Sequence, residues 1–216
     1  MLNFPREKLP KNPKFLIIKL RSLGDVVYNT AVYAPLKRSF PDSHLTVLVE
    51  HFSLDIVLHH PDIDQVLCFE KKSWLHQLGF YYRLFANRYD VVIDMHEGTR
   101  GAVMCFVTQA PYRVGHKFAK RSFLYNVKLE FGDLNPKHPM DYQVALIKKM
   151  DVEFEEIAPS IHISEPAQIK AEQLLQAEGI DYQEPFCILH PGAKIYDRWE
   201  AEKFAEIGRA SCRERV

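Results

Sequence analysis

The sequence predicts an α/β fold in which a parallel sheet is flanked by helices, and three observations carry that expectation. Between Phe15 and Gln109, short β-branched runs alternate four times with segments of helical period. Each run ends in a polar or glycine-bearing turn, as a strand does when it feeds a helix. The chain of 216 residues is 47% hydrophobic and 26% charged, enough apolar material to bury a core and too much for a disordered chain.

The first strand is Phe15 to Leu20, FLIIKL, an apolar run rich in β-branched residues. Val26, Val27, Thr30, Ala31, Ala34, Leu36 and Phe40 then recur at helical spacing until Pro41 and Asp42. Pro35 removes a backbone donor and crowds the carbonyl four residues back, so a break near Ala34 and two shorter helices are expected. Three further units follow: strand Leu45 to Glu50 with helix Ser53 to His59, strand Gln65 to Glu70 with helix Trp74 to Asn87, and strand Asp90 to Met95 with helix Thr99 to Gln109. Tyr112 to Lys117 reads as a fifth strand and Asn126 to Phe131 as a sixth or an edge piece. Helices are expected from Pro139 to Met150 and from Pro166 to Glu178, the second opened by proline and stopped by Gly179.

Pro185 to Lys194 then repeats the opening pattern, a strand running into a glycine turn, with a helix after Ala201. The expected organisation is an N-terminal extension (1–14), a Rossmann-like domain (15–164), a linker helix (165–182) and the beginning of a second Rossmann-like domain (183–206). The helix that opens at Ala201 is expected to stop before the tail Ile207 to Val216, IGRASCRERV. That tail matches the translation of a common sequencing adapter and is expected to be foreign to the fold.

Lys plus Arg (28) equals Asp plus Glu (28), so no global field draws the chain onto nucleic acid or an anionic membrane, and any such contact must be local. Cys68, Cys105, Cys187 and Cys212 lie 37, 82 and 25 residues apart, which fits neither a metal-ligand spacing nor a disulfide framework. The first residues carry charge and three prolines but no apolar h-region, and no apolar run reaches the ~18 residues of a membrane span. A cytoplasmic protein without signal peptide or transmembrane segment is the expectation.

Ligands of open parallel sheets sit beyond the carboxyl ends of the strands, so the residues after each strand are the candidates. After the first come Arg21, Ser22, Leu23, Gly24 and Asp25. Gly24 allows a tight turn or a close backbone approach, and the following helix offers unpaired N–H groups to an anion. Ser22 and Asp25 also fit a capping box. No GxGxxG is present, so a dinucleotide fingerprint is lacking. After the fourth strand come Asp94, His96, Glu97, Gly98, Thr99 and Arg100, a dense titratable cluster, with an N-cap at Thr99 as the plainer reading. The loop after the fifth strand carries His116, Lys117, Lys120 and Arg121, suited to a phosphorylated group or to a solvated face. His138 reads as part of a helix start. The last candidate is His190, Pro191, Gly192, Ala193 and Lys194 with Arg198, where N–H groups and cations converge before a helix.

Strand-RSLGDVV-helix, DMHEG after the fourth strand, and LHPGAKIYDRWEAEKFAE after a linker helix together resemble glycosyltransferase family 9, the ADP-heptose:lipopolysaccharide heptosyltransferases, over residues 15 to 206. DMHEGTRGAV and PYRVGHK are most similar to the branch that adds a later inner-core heptose. The resemblance implies a two-domain GT-B architecture, with the acceptor on the N-terminal domain, ADP-L-glycero-β-D-manno-heptose on the C-terminal one, and the active site in the cleft between them. It implies an inverting reaction without a metal or other cofactor, and a general-base role for Asp25. Acceptor contacts would come from Ser22, Leu23, Gly24, His96, Glu97, Gly98, Arg100, Lys117, Lys120 and Arg121. Donor contacts would come from His190, Pro191, Gly192, Ala193, Lys194 and Arg198.

Many relatives carry Lys two residues before the Trp of this motif, where this chain has Asp197, so Lys194 and Arg198 both stand as diphosphate partners. The implied partners are the nucleotide sugar and the lipopolysaccharide core, with contact at the cytoplasmic face of the inner membrane allowed. With most of a donor domain missing, a truncated and inactive piece of the enzyme is expected. Competing readings are another GT-B enzyme, a UDP-sugar transferase or epimerase, and a non-enzymatic Rossmann-like binding domain.

Overall fold

A computed structural model describes residues 4–130, 138–154, 158–181, 183–184, 186, 188–192 and 199–213. Contacts divide the chain into two units, Met1–Ile163 and Ser164–Val216. The first is built on six strands, β1 (Lys14–Ile18), β2 (His44–Glu50), β3 (Gln65–Phe69), β4 (Val91–Asp94), β5 (Tyr112–His116) and β6 (Val127–Leu129). All neighbours pair in parallel, in the order β3-β2-β1-β4-β5-β6.

Sheets of this kind are covered on both faces, which is why their strands are continuously apolar. Phe15 and Ile17 of β1 face one layer with Val26, Tyr33, Leu36, Ile56 and Ile147. Those residues belong to or border α1 (Leu23–Thr30), α2 (Tyr33–Ser39), α3 (Leu54–Val57) and α6 (Pro139–Lys148). Leu16 and Ile18 face the other layer, with Phe80 and Leu84 of α4 (Trp74–Ala86) and Ala102, Met104 and Cys105 of α5 (Thr99–Val107). The period-two alternation of one strand therefore feeds two cores. The N-terminal extension is docked: Phe4 is buried, and Arg6 donates to the carbonyls of Ser39 at 2.5 Å and Asp151 at 3.0 Å.

The break expected near Ala34 falls at Ala31 and Val32 instead, leaving α1 and α2. The cause is still Pro35, because its ring crowds the carbonyl four residues earlier, that of Ala31. In the second unit α7 (Glu165–Ala177) opens on Ser164, whose hydroxyl accepts from the Ala167 amide at 3.4 Å, and Gly179 past its end has φ +72°.

Two expectations are corrected there. Phe186 and Ile188 to Leu189 form no strand among the described residues, since a strand needs a neighbour to take its backbone bonds. The last helix, α8 (Ala201–Arg213), runs on past Ile207 instead of stopping before it, through residues such as Ala210 and Arg209 that favour helix. Among the described residues no helix is long and apolar enough to cross a membrane.

Candidate active site

Strand order reverses between β1 and β4: the chain leaves β1 toward β2 on one side and β4 toward β5 on the other. A crevice for ligand opens at such a switch point, beyond the carboxyl ends. Ile18 pairs with Asp94 at the last register position, so Lys19 to Asp25 and Asp94 to Arg100 diverge from one spot. Two of the stretches singled out in the sequence therefore meet.

Asp25 is the third residue of α1. The Ser22 amide donates to its Oδ2 at 3.1 Å, which is the aspartate half of a capping box. The same oxygen lies 3.8 Å from Lys19 Nζ, which also donates to the Met95 carbonyl at 2.8 Å. Lys19 is buried, and desolvation draws its pKa down while the carboxylates of Asp25, Glu97 and Asp94 hold it up. One ammonium thus ties both segments together. Sequence reasoning missed Lys19, although a cation near the end of the otherwise apolar FLIIKL was a usable signal. The Asp25 side chain remains 36% exposed, so its carboxylate is open to a substrate.

A buried polar chain sets the position of α1 against α6. Tyr33 Oη donates to Asn29 Oδ1 at 2.8 Å, Asn29 Nδ2 to Gln143 Oε1 at 2.6 Å, and Gln143 Nε2 to the Asp25 carbonyl at 3.3 Å. Leu23 is exposed, and a Cβ built on Gly24 would meet nothing within 4 Å. Gly24 lies inside the first turn of α1 with no positive φ, so no tight turn requires it; what the missing side chain leaves is bare backbone facing open space.

Asp94 ends β4 and is fully buried. Its Oδ2 accepts from Tyr125 Oη at 2.6 Å, and its Oδ1 accepts from the amides of His96 at 2.9 Å and Glu97 at 3.3 Å. Burial nonetheless dominates and lifts its pKa to about 6. The bonds fold the turn so that Glu97 takes φ +61° and Gly98 caps α5. The N-cap is therefore Gly98 and not Thr99, which is the first residue of the helix. Close packing of α5 on Asp94 depends on Gly101, and that of Tyr125 on Gly115: a Cβ on the first would stand 2.4 Å from Asp94 Oδ1, and on the second 2.5 Å from the Tyr125 ring.

His96 lies against Gly98, and burial helped by the charges of Lys19, Arg21 and Arg100 depresses it to about 4. Glu97 turns toward β5, where its Oε1 is 3.3 Å from His116 Nε2. Burial pushes the Glu97 carboxyl up and the His116 imidazole down to about 4, so this is a contact of a neutral imidazole and not a formed ion pair. On the other side Glu50, at the end of β2, gathers two guanidinium groups, Arg100 at 2.9 Å and Arg21 at 3.7 Å.

The remaining candidates are not drawn in. Lys117 pairs with Glu130 at 2.6 Å, and Lys120 and Arg121 stand exposed on the turn before β6. His138 caps α6, its Nδ1 accepting from the Met140 amide at 3.2 Å. In the second unit His190, Pro191 and Gly192 are exposed, and the His190 ring fills the space a Gly192 side chain would need. Ala193, Lys194 and Arg198 lie outside the described residues. A cavity of about 540 Å³ lined by Arg6, Arg38, Ser39, Asp151 and Glu153 opens at the amino edge of the sheet, the opposite end from Asp25. Among the described residues no three His, Cys, Asp or Glu side chains are grouped to hold a metal.

Comparison with known proteins gives this geometry its relatives. The chain is 22% identical over 199 residues to the lipopolysaccharide core heptosyltransferase OpsX of Haemophilus influenzae, covering 90% of this chain and 56% of that protein. It is 20% identical over 202 residues to lipopolysaccharide heptosyltransferase 3 of Escherichia coli, covering 87% and 57%. Among solved structures, the family 9 glycosyl transferase of Veillonella parvula superposes with TM-score 0.82 at 21% identity, over 93% of this chain and 60% of that one. The ADP-heptose LPS heptosyltransferase II of E. coli does so with TM-score 0.72 at 19% identity, over 93% and 62%. The chain thus spans less than two thirds of the length of these relatives, and their fold is its fold. The model of the family described as glycosyltransferase family 9 (heptosyltransferase) matches residues 78–216, well over half of the sequence, and the chain belongs to that family.

Proposed function

We propose that this chain carries the acceptor side of an inverting transferase that moves heptose from ADP-L-glycero-β-D-manno-heptose to the inner core of lipopolysaccharide. The observation that carries the reading is Asp25: a partly exposed carboxylate at the switch point of the sheet, anchored by the Ser22 amide and by buried Lys19. Family membership supports the chemistry.

In this reading the acceptor hydroxyl donates to an Asp25 carboxylate oxygen. The hydroxyl oxygen forms its bond to the anomeric carbon from the face opposite ADP, the proton passes to Asp25, and ADP leaves with the electron pair of the broken bond. With an oxocarbenium-like donor the proton departs late, so holding the hydroxyl in line is the main task of the residue. Bare backbone at Gly24, with Ser22, Leu23 and the His96–Gly98 turn beside it, forms the acceptor floor. Arg100 and Arg21, gathered on Glu50, face the anionic groups of the core. The donor falls to the turn His190, Pro191, Gly192, Ala193 and Lys194 with Arg198. The acceptor is lipid-anchored, which puts the work at the cytoplasmic face of the inner membrane.

The test is heptose transfer from ADP-heptose to a truncated lipopolysaccharide acceptor, measured for the protein at the length of its relatives. Asp25→Asn should lower kcat by about 100-fold or more while acceptor binding persists. Transfer that survives the substitution returns Asp25 to capping alone. Absence of transfer by the unsubstituted protein, with transfer from a uridine sugar, moves the donor to another class.

A further inference from the structure

Helix α4 is apolar on two sides. Phe80 and Leu84 are buried against the sheet, with Tyr81 packed beside them. Trp74, Leu75, Leu78, Tyr82 and Phe85 fall in an arc of about 100° on the far side of the helix. Those five are 68%, 62%, 56%, 70% and 51% exposed. A surface helix of an α/β domain needs one apolar stripe, and the second has no use within the described residues.

Charge selects what covers it. From Lys71 to Arg88 the sequence holds four cations, Lys71, Lys72, Arg83 and Arg88, and no Asp or Glu, in a chain whose charges balance as a whole. Lys72 is paired with Glu70, while Lys71, Arg83 and Arg88 are exposed at the two ends and along one flank of the stripe. A second copy of this chain on a two-fold axis would set these cations against themselves. Tryptophan and tyrosine at the rim of an apolar face, with lysine and arginine around it, match the interface of a bilayer carrying anionic lipid.

We propose that the outer face of α4 docks on an anionic membrane surface. It deepens the function proposed above and rests on that reading only for the lipid anchor of the acceptor. The helix starts just beyond the carboxyl end of β3, the same edge of the sheet at which Asp25 stands. A docked α4 lies lengthwise on the bilayer, with its first turn, Trp74 and Leu75, at that edge.

The experiment is co-sedimentation of the chain with phosphatidylcholine vesicles made with and without phosphatidylglycerol, at low and high salt. Binding is expected only with the anionic lipid, falling as salt rises. Leu78→Glu combined with Tyr82→Glu, both on the exposed side and checked for fold by circular dichroism, should abolish it. Arg83→Gln should weaken it about five-fold. Ile169→Glu, an exposed apolar residue of α7, should leave it unchanged. Failure to sediment, equal binding by the double variant, or a dimer that the double variant converts to monomer would each overturn the proposal. None of these results depends on transfer to a water-soluble acceptor, so the membrane surface and the reaction can fail separately.

Discussion

Asp94 is where side-chain chemistry and steric allowance meet most closely. Its carboxyl and the Tyr125 ring occupy volume that a Cβ on Gly101 or Gly115 would claim. Gly101→Ala and Gly115→Ala should each lower stability by about 1–3 kcal/mol, as overpacking does, read as a fall in the urea midpoint. Gly24→Ala should do the reverse, stabilising α1 by about 1 kcal/mol because the added methyl meets nothing, while transfer or acceptor binding declines. A Gly24→Ala variant of full activity would remove Gly24 from the acceptor floor. The histidines set the pH response. His116 is neutral in the fold down to about 4, whereas the unfolded chain takes up its proton near 6.5. Its contribution is therefore present above 6.5 and lost as pH falls toward 4, on the order of 3 kcal/mol. His96 acts in the same direction. Asp94 opposes them, since a carboxyl raised to about 6 favours the fold at low pH and loses that advantage as pH rises from 3.8 through 6. Glu97, also raised by burial, acts with Asp94, while His60, drawn down by burial, adds to the histidines; with His96 and His116 each displaced from 6.5 to about 4, urea midpoints should fall between about pH 7 and pH 4.5, and the fall should shrink in His116→Asn. A midpoint that holds or rises toward acid contradicts this account.

The coupling of α1 to α6 through Tyr33, Asn29 and Gln143 is polar and buried, and such a chain is costly when broken. Gln143→Leu should destabilise by about 1–3 kcal/mol, because the Asn29 amide loses its oxygen acceptor and keeps only the weaker bond to the Met95 sulfur. Because Gln143 also holds the Asp25 carbonyl, transfer should fall more steeply than the population of folded protein, a difference that activity measured well below the unfolding midpoint would reveal. What the sequence allows to be read follows the same division. Strands β1 to β4 were legible because each is a short, mainly apolar run, β5 and β6 less so because Arg113, His116 and Lys128 interrupt them, and the turns after β1 and β4 because they crowd polar residues into a few positions. Tyr125 with Asp94, Asn29 with Gln143, and Glu97 with His116 were not, since each pair is joined only by the fold across 31, 114 or 19 residues. The strand expected to open the stretch Pro185 to Lys194 misled for a related reason: β-propensity describes a residue's fit to a sheet, and no neighbour stands there among the described residues. The pairing of Lys117 was not legible either, because Glu130, its partner, follows a strand later.

The two units differ in how much they bury. Residues up to Ile163 hold both apolar cores, whereas α7 has no buried residue and Phe186, Ile188 and Leu189 are 41%, 80% and 44% exposed. Limited chymotrypsin digestion followed by mass spectrometry should therefore cut first between Glu178 and Gly192 and leave the strand-bearing unit intact. Uniform resistance through that stretch would contradict the division. The strand order has a further consequence, in time and not in space. β1 pairs with β2 about 30 residues later but with β4 only after about 76, when Val91 emerges to meet Phe15. During synthesis at about 5–20 residues per second, the innermost strand of the finished sheet keeps one raw edge for roughly 4–15 s. In that interval its unpaired amides and carbonyls are a template for any passing strand, so the nascent chain is most prone to mispairing before β4 is made.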